Sequence, residues 1–237
     1  MQKIIQRAEE RGIADFGWLK SAHSFSFGQY YNPQSMNFGA LRVLNDDHVA
    51  AGRGFGEHPH DNMEIVSIPL SGSLQHSDSM GNAGVIQAGE VQIMSAGTGV
   101  AHAEMNASKT DAVDFLQIWV FPKERDITPS YAQKYYTDLD RTDKLACIVS
   151  PDKADEKAVF INQDAWFNIG NLSAGTALDY TLHGPGQGVY IFVLAGSVEV
   201  GDEILHKRDA IGISATEMVT LKALIPAEVL VIEVPMS

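Results

Sequence analysis

Two short residue pairs have the residue types and spacing of a metal-binding site, His58-x-His60 and, further along the chain, His102-x-Glu104. Each pair lies in a segment with the pattern of a β-strand, whose side chains alternate between two faces. Both members of a pair therefore point the same way. If the two strands lie side by side, three imidazoles and one carboxylate converge. Such buried groups are costly unless paired or metal-bound, so we expect a divalent transition metal there.

This set of four side chains also indicates a type of chemistry. Three histidines and one glutamate would leave two positions of an octahedral ion open. Nitrogen and oxygen ligands without thiolate suit Fe(II), Mn(II), Co(II), Ni(II), Cu(II) or Zn(II), and the open-sided arrangement favours Fe(II). Two adjacent open positions would let a chelating substrate and O₂ react side by side. Glu104 could take a proton from a substrate hydroxyl group and is the predicted catalytic residue.

Composition limits the class of protein. Thirty acidic residues against 17 basic ones give a net charge of −13, which argues against direct nucleic-acid binding because phosphate contacts need Lys and Arg. The one cysteine, Cys147, can form no intrachain disulfide and suits a reducing compartment. We see no signal peptide and no apolar run of the ~20 residues that span a bilayer. We therefore expect a cytoplasmic protein without a membrane partner.

Many short strand-like segments, bounded by Gly, Pro, Asn or Asp, predict an all-β sandwich or barrel. Helical patterns are few. Pro129–Tyr135 and Pro151–Ala158 are each predicted to form a short helix with a proline near its start.

The chain reads as two similar halves. The polar stretch Pro122–Lys144 is the best linker candidate, which predicts domains at residues 1–130 and 140–237. A strand, a turn glycine, a hairpin and a further strand occur around Gly72 and again around Gly196, which favours a duplicated domain. In this register His58, His60, His102 and Glu104 correspond to Leu182, Gly184, Leu221 and Ala223. None of these four can bind a metal through its side chain, so the metal site is predicted in the first half alone.

The first half resembles the cupin superfamily and, more narrowly, the pirin family. The first cupin motif is present as Gly52, His58, His60 and Glu64, and the second as Gly89, Gly99, His102 and Asn106. Pirin-like segments are Gly54–His60, Gln92–Gly99, His23–Phe27, Leu41–Asp46 and Gln117–Trp119. The resemblance implies a bicupin of two β-barrel or jelly-roll-like sandwich domains. It also implies the ligands His58, His60, His102 and Glu104, with Glu64 as the fallback because most cupins take their carboxylate from the first motif.

The resemblance implies quercetin 2,3-dioxygenase activity, the opening of a flavonol-type polyphenol ring with O₂. Two alternatives remain. Pirin-like proteins also act in transcriptional co-regulation, so the chain could be a metal-dependent module that binds a protein partner. It could also be a cupin isomerase or hydrolase that uses zinc.

Several other residues have ordinary explanations. His23, His48, His183 and His206 are interpreted as structural or exposed. His76 follows Leu74 at strand period and could support a metal ligand. Phe25, Phe55 and Met94 could line a pocket, although core packing explains each of them. Trp18, Trp119 and Trp166 indicate burial only.

Overall fold

The computed structural model describes residues 1–137 and 139–237. Over these residues it contains twenty β-strands and one three-residue 3-10 helix, Ala8–Glu10. No helix within the described ranges has the length and apolar content needed to cross a bilayer. The all-β architecture predicted from the sequence is confirmed.

The first half supplies twelve strands: β1 (Gln2–Gln6), β2 (Gly12–Asp15), β3 (Leu19–His23), β4 (Leu41–Val49), β5 (Gly54–His60), β6 (Glu64–Ser71), β7 (Ser73–Asp78), β8 (Ala83–Gln87), β9 (Glu90–Ser95), β10 (Val100–Asn106), β11 (Val113–Val120) and β12 (Ser130–Tyr135). The second half supplies the other eight: β13 (Ala146–Ser150), β14 (Val159–Phe160), β15 (Trp166–Leu172), β16 (Ala177–Thr181), β17 (Gln187–Val200), β18 (Glu203–His206), β19 (Ala210–Ser214) and β20 (Met218–Pro235).

Two sheets form the sandwich of the first half. A seven-stranded sheet has the order β12-β9-β6-β11-β4-β3-β2, and a four-stranded sheet has the order β5-β10-β7-β8. Their apolar faces meet in a buried cluster that joins Leu19, Val49 and Phe115 of the larger sheet to Leu74 and Ile86 of the smaller one. The smaller sheet therefore holds β5 and β10 side by side against a packed interior.

The eight strands of the second half join β1 in one nine-stranded sheet that folds over its own core. Its main path is β1-β19-β17-β20-β15-β13-β14, with β16 on β20 and β18 on β17. Register shifts interrupt the pairing of the two long strands β17 and β20, which lets the sheet bend. At one shift Gly196 has φ +80°, and a Cβ there would lie 2.1 Å from the carbonyl oxygen of Pro226. Only glycine fits this bend.

An apolar cluster joins the two halves. It contains buried residues of the seven-stranded sheet, such as Leu44 and Ile118, together with Phe192 and Leu230 of the nine-stranded sheet. Burial of apolar area contributes about 25 cal/mol per Å², so this interface stabilises both sandwiches.

The domain boundaries at residues 1–130 and 140–237 remain a prediction. Two strands do not follow them simply. The first strand, β1, pairs with β19 of the nine-stranded sheet, with Gln2 opposite Ser214. The strand β12 lies inside the predicted linker Pro122–Lys144 and pairs with β9. The polar composition of that linker did not reveal either a strand or its partner.

Both predicted helices are wrong. Residues Ser130–Tyr135 form β12, because the open edge of β9 offers them a ladder in which Ser130 lies opposite Ser95. Residues 151–158 form turns and bends. There the Asp152 carboxylate accepts the backbone N–H of Ala154, and the Asp155 carboxylate accepts that of Lys157. Such local side-chain bonds compete with helical ones.

Leu221 tests the role assigned to the second half. It is fully buried in the core of the nine-stranded sheet, so Leu221→Ala leaves a cavity and should lower the free energy of unfolding by about 2–5 kcal/mol. Leu224 lies on the same strand but is 37% exposed, and Leu224→Ala should change it by about 0.5 kcal/mol or less. Urea denaturation of both variants measures the difference. Equal losses would show that Leu221 has no special packing role.

Candidate metal centre

The two residue pairs lie on adjacent antiparallel strands. His102 of β10 is directly opposite His58 of β5, and Val100 is opposite His60. Alternate residues of β10 are buried, including His102 and Glu104, as the strand period requires. A register shift follows, with Glu104 opposite Phe55. The strand pairing thus brings the histidines of both motifs to one face.

The three imidazoles form a compact group. The ring centroids of His58 and His102 are 4.5 Å apart, those of His58 and His60 4.8 Å, and those of His60 and His102 4.9 Å. One nitrogen of each ring lies within 4.8 Å of one nitrogen of each of the others. His58 Nδ1 donates to the carbonyl oxygen of Gly56 at 2.7 Å, which leaves its Nε2 as the nitrogen with a free lone pair.

Several imidazole nitrogens of this group are buried without hydrogen bonds to any described residue, and a metal ligand needs such a free nitrogen. Within residues 1–137 and 139–237, His60 Nε2 and both ring nitrogens of His102 are buried and find no hydrogen-bond partner. A buried polar atom left unpaired costs free energy. A single cation would satisfy His60 Nε2 and one ring nitrogen of His102, since each residue offers one ligand atom. The donor set therefore fits a divalent transition metal.

Electrostatics keeps these rings in the state that binds metals. Burial, with the neighbouring imidazoles adding to it, lowers the pKa of His102 to about 3. The same causes lower the pKa of His60 to about 4. Metal ligation requires a neutral imidazole, so both rings are ready to bind at neutral pH.

Glu104 lines the same small cavity, of about 60 Å³, as the three histidines. It is 2% exposed. Its Oε1 accepts the hydroxyl of Ser67 at 3.0 Å, and its Oε2 accepts the amide of Gln117 at 2.6 Å. Burial raises the pKa of Glu104 to about 7. The carboxylate is therefore fixed in position and able to exchange a proton near neutral pH.

The four predicted residues do not form one tight set. The three histidines are one group, whereas Glu104 belongs to a second group with His102 and His76. His76 is fully buried. Its Nε2 lies 3.0 Å from Asp78 Oδ2, and its Nδ1 has no hydrogen-bond partner among the residues described. Its ring centroid is 5.4 Å from that of His102. Sequence left the role of His76 open, and the structure places it beside the centre.

The fallback ligand, Glu64, lies elsewhere. Its Oε2 accepts the hydroxyl of Ser95 at 2.7 Å and the backbone N–H of Asn162 at 3.1 Å. It belongs to neither group of candidate ligands in the described residues. Glu64 faces the second half of the chain because its strand position points its side chain away from β5 and β10. The geometry of the described residues therefore gives the fallback assignment no support.

Sequence reasoning missed several residues that line the centre. Trp119, interpreted as burial only, lies with its ring centroid 4.9 Å from that of His60. Phe27, Asn45, Asp47 and Gln117 also line the small cavity. Asn45 and Asp47 alternate on β4, and Gln117 and Trp119 alternate on β11. The sequence pattern that could have revealed the polar ones was a polar residue on one face of an otherwise apolar strand.

Phe25, Phe55 and Met94, each predicted to line a pocket or to pack in the core, lie in different places. Phe55 lines the small cavity. Phe25 and Met94 are buried in apolar clusters. Core packing therefore accounts for Phe25 and Met94.

A larger cavity, of about 620 Å³, adjoins the small one. It extends past β2, β3 and the loop after β3, and its lining includes Phe16, Leu19 and Tyr30. Four residues line both cavities: Phe27, Asn45, Asp47 and Phe55. The centre therefore opens into a chamber large enough for a small organic molecule.

Asp47 gives a pH-dependent prediction. Burial raises its pKa from 3.8 to about 7, so the folded state disfavours the ionised form. The stability that this group contributes is present below about pH 4 and lost as the pH rises through about 7. Asp47→Asn should therefore raise the free energy of unfolding of metal-free protein at pH 8 by at most about 4 kcal/mol, with little change at pH 4.

Urea denaturation at both pH values measures this effect. Asp15 lines the same chamber but is exposed, so Asp15→Asn is the matched control and should show no such trend. A stabilisation by Asp47→Asn that does not grow with pH would contradict the prediction.

Comparison with known proteins covers both halves. A family model described as Pirin matches residues 6–120, and one described as the quercetinase C-terminal cupin domain matches residues 147–234. The chain is 40% identical to a pirin-like protein of Caulobacter vibrioides, over 95% of this chain and 96% of that one. It is 39% identical to a quercetin 2,3-dioxygenase of Escherichia coli K12, over 98% of each.

This chain is also similar along its whole length to a solved structure. The crystal structure of the bacterial pirin YhhW of Escherichia coli in complex with nickel(II) has a TM-score of 0.94 and 37% identity, with 100% of both chains covered. That relative thus holds a divalent metal on a fold shared along the whole chain.

Proposed function

Because this chain belongs to the pirin family and has its two cupin domains, we propose that it is a metal-dependent dioxygenase that opens the ring of a flavonol-type polyphenol with O₂. The observation that carries the proposal is the group of buried, unpartnered imidazole nitrogens beside a buried carboxylate. Relatives named quercetin 2,3-dioxygenase support the substrate class.

His58, His60, His102 and Glu104 would hold the metal, which we expect to be Fe(II) in the cell. When bound, a divalent transition metal supplies Lewis acidity toward a substrate oxygen and a redox-capable centre for O₂. The histidines contribute neutral nitrogen donors, because burial has lowered the pKa of His60 and His102 far below neutral.

Glu104 performs the proton transfer in this proposal. A flavonol must lose its hydroxyl proton before the ring carbon becomes electron-rich enough to react with O₂. The raised pKa of Glu104, about 7, places it near the working pH, where a general base is most effective. The donors Ser67 and Gln117 hold its two oxygens, so the carboxylate stays aimed at the cavity while it accepts the proton.

Aromatic side chains complete the site. Phe27 packs edge-on to Trp119, with ring centroids 5.3 Å apart, and Phe55 packs against Trp18 at 5.6 Å. These walls would bind a planar ring and exclude water, which strengthens polar interactions at the reacting atoms.

Oxygen uptake tests the proposal. Protein loaded anaerobically with Fe, Mn, Co, Ni or Cu is mixed with quercetin and ¹⁸O₂. We expect equimolar loss of O₂ and quercetin with at least one metal, and both labelled oxygen atoms in the products. Zinc-loaded protein is the control, because zinc has no redox chemistry. Absence of turnover with all five metals would reject the enzyme and favour the protein-binding module, whereas turnover with zinc alone would favour an isomerase or hydrolase.

A further inference from the structure

The chamber and the small cavity at the metal centre share a junction of four side chains. Phe27, Asn45, Asp47 and Phe55 line both cavities. A molecule that occupies the chamber and reaches the histidines must therefore pass these four side chains. Two of them are aromatic and two are polar, so the junction can contact both the face of a ring and its substituents.

Asp47 has an unused acceptor at this junction. The residue is 5% exposed, and its Oδ1 has no hydrogen-bond partner in the part of the chain that the structure describes. A buried carboxylate oxygen without a donor is costly, and no donor among the described residues bonds to this oxygen. At the same junction the carbonyl oxygen of Asn45 lies 2.8 Å from His23 Nδ1. A hydroxyl group on a ligand would satisfy Asp47 Oδ1.

The acidic residues that line the two cavities disfavour negatively charged ligands. Asp15 and Asp47 line the chamber, and Glu104 lines the small cavity beyond it. The described residues that line either cavity include no Lys or Arg. A carboxylate or phosphate ligand would therefore meet like charge in the chamber. A neutral molecule with hydroxyl donors would not.

The remaining walls favour an aromatic ligand. Leu19 is buried in the chamber wall, Phe16 is exposed at its rim, and Tyr30 lies beside the ring of His23. Flat apolar surfaces of this kind contact the faces of aromatic rings.

We infer that Asp47 is a positioning residue that accepts a hydrogen bond from an aromatic hydroxyl group, and that the chamber selects neutral hydroxylated aromatics over carboxylates. The inference rests on the proposed function for the site of reaction, and it adds the residue and the substrate property that decide selection. One hydroxyl group of the ligand lies toward Glu104 and the histidines, and another lies at Asp47 Oδ1.

Anaerobic binding to nickel-loaded holoprotein tests the inference without requiring turnover. The probes are quercetin, flavone without hydroxyl groups, and a flavone carboxylic acid, each titrated by calorimetry. Wild type should bind quercetin most tightly and the carboxylic acid weakly. Asp47→Ala should weaken quercetin binding about tenfold to a hundredfold and leave flavone binding little changed. The control Glu57→Ala, at an exposed residue that lines neither cavity, should stay within about twofold of wild type for all three.

The selectivity between quercetin and flavone distinguishes positioning from structural damage, since damage would weaken both ligands. Nickel content is measured in each variant for the same reason. Unchanged selectivity in Asp47→Ala, tighter binding of the carboxylic acid by wild type, or no binding of quercetin would each overturn the inference. Binding that depends on Asp47 without O₂ uptake under any metal would reject the proposed dioxygenase and retain the inference.

Discussion

His102→Ala is expected to weaken metal binding at least about a hundredfold. His102 belongs to both groups of candidate ligands and is 2% exposed. No described residue forms a hydrogen bond with either of its ring nitrogens. Even residues that merely support metal ligands typically cost tenfold to a hundredfold in affinity when replaced, so loss of a ligand shared by both groups should cost more. Equilibrium dialysis against nickel(II), with elemental analysis of the protein, measures the change.

The matched control for this variant is His48→Ala. His48 lies on β4 of the same sandwich, and its side chain is 52% exposed beside Asp114. Its removal should leave nickel affinity within about twofold of wild type. Metal-free His102→Ala should remain folded, because the variant loses two unpaired buried nitrogens along with the ring volume. Tight nickel binding by His102→Ala would show that the ion lies elsewhere in the protein.

The centre could be predicted from sequence because its histidines depend on short-range geometry. A spacing of two residues on a strand places His58 with His60 and His102 with Glu104 on one face. Only one long-range fact was then needed, the pairing of β5 with β10, and the structure supplies it. The position of Glu104 in a second group with His76 was not predictable, because it depends on β7, which pairs with the other edge of β10.

The other residues that line the small cavity could not be predicted from spacing. Asp47 and Asn45 come from β4, and Trp119 and Gln117 come from β11, in a different sheet from β5 and β10. Which face of β4 and β11 points toward the histidines is set by the apolar contacts between the two sandwiches, where Leu44 and Ile118 are buried. Sequence period identifies two faces of each strand but does not say which neighbour each face meets.

The helix predicted at Pro129–Tyr135 was also wrong because of long-range contacts. The segment Pro129–Tyr135 has a helix-like start, yet tertiary pairing with β9 outweighs local propensity. In consequence Tyr131 lies beside His76, with ring centroids 4.9 Å apart. A segment interpreted as a linker therefore contributes a side chain to the surroundings of the centre.

Glu104→Gln is expected to retain metal and lose turnover. The variant keeps the size of the side chain and a carbonyl oxygen that can accept from Ser67 or Gln117, both of which now contact the carboxylate. The neutral amide cannot accept the substrate proton. Loss of a general base typically lowers the rate about 10²–10⁴-fold, so kcat with quercetin should fall by that amount while the three histidines still hold the ion.

The comparison must separate metal content from chemistry. Nickel content is measured first, and rates are expressed per bound ion. Glu57 is an exposed glutamate on the neighbouring strand β5, and Glu57→Gln is the control, with kcat expected within about twofold of wild type. If Glu104→Gln loses its metal, the carboxylate acts chiefly as a ligand. If it binds metal and turns over at the wild-type rate, the proton goes to another group, and the buried carboxylate of Asp47 at the junction becomes the acceptor to test.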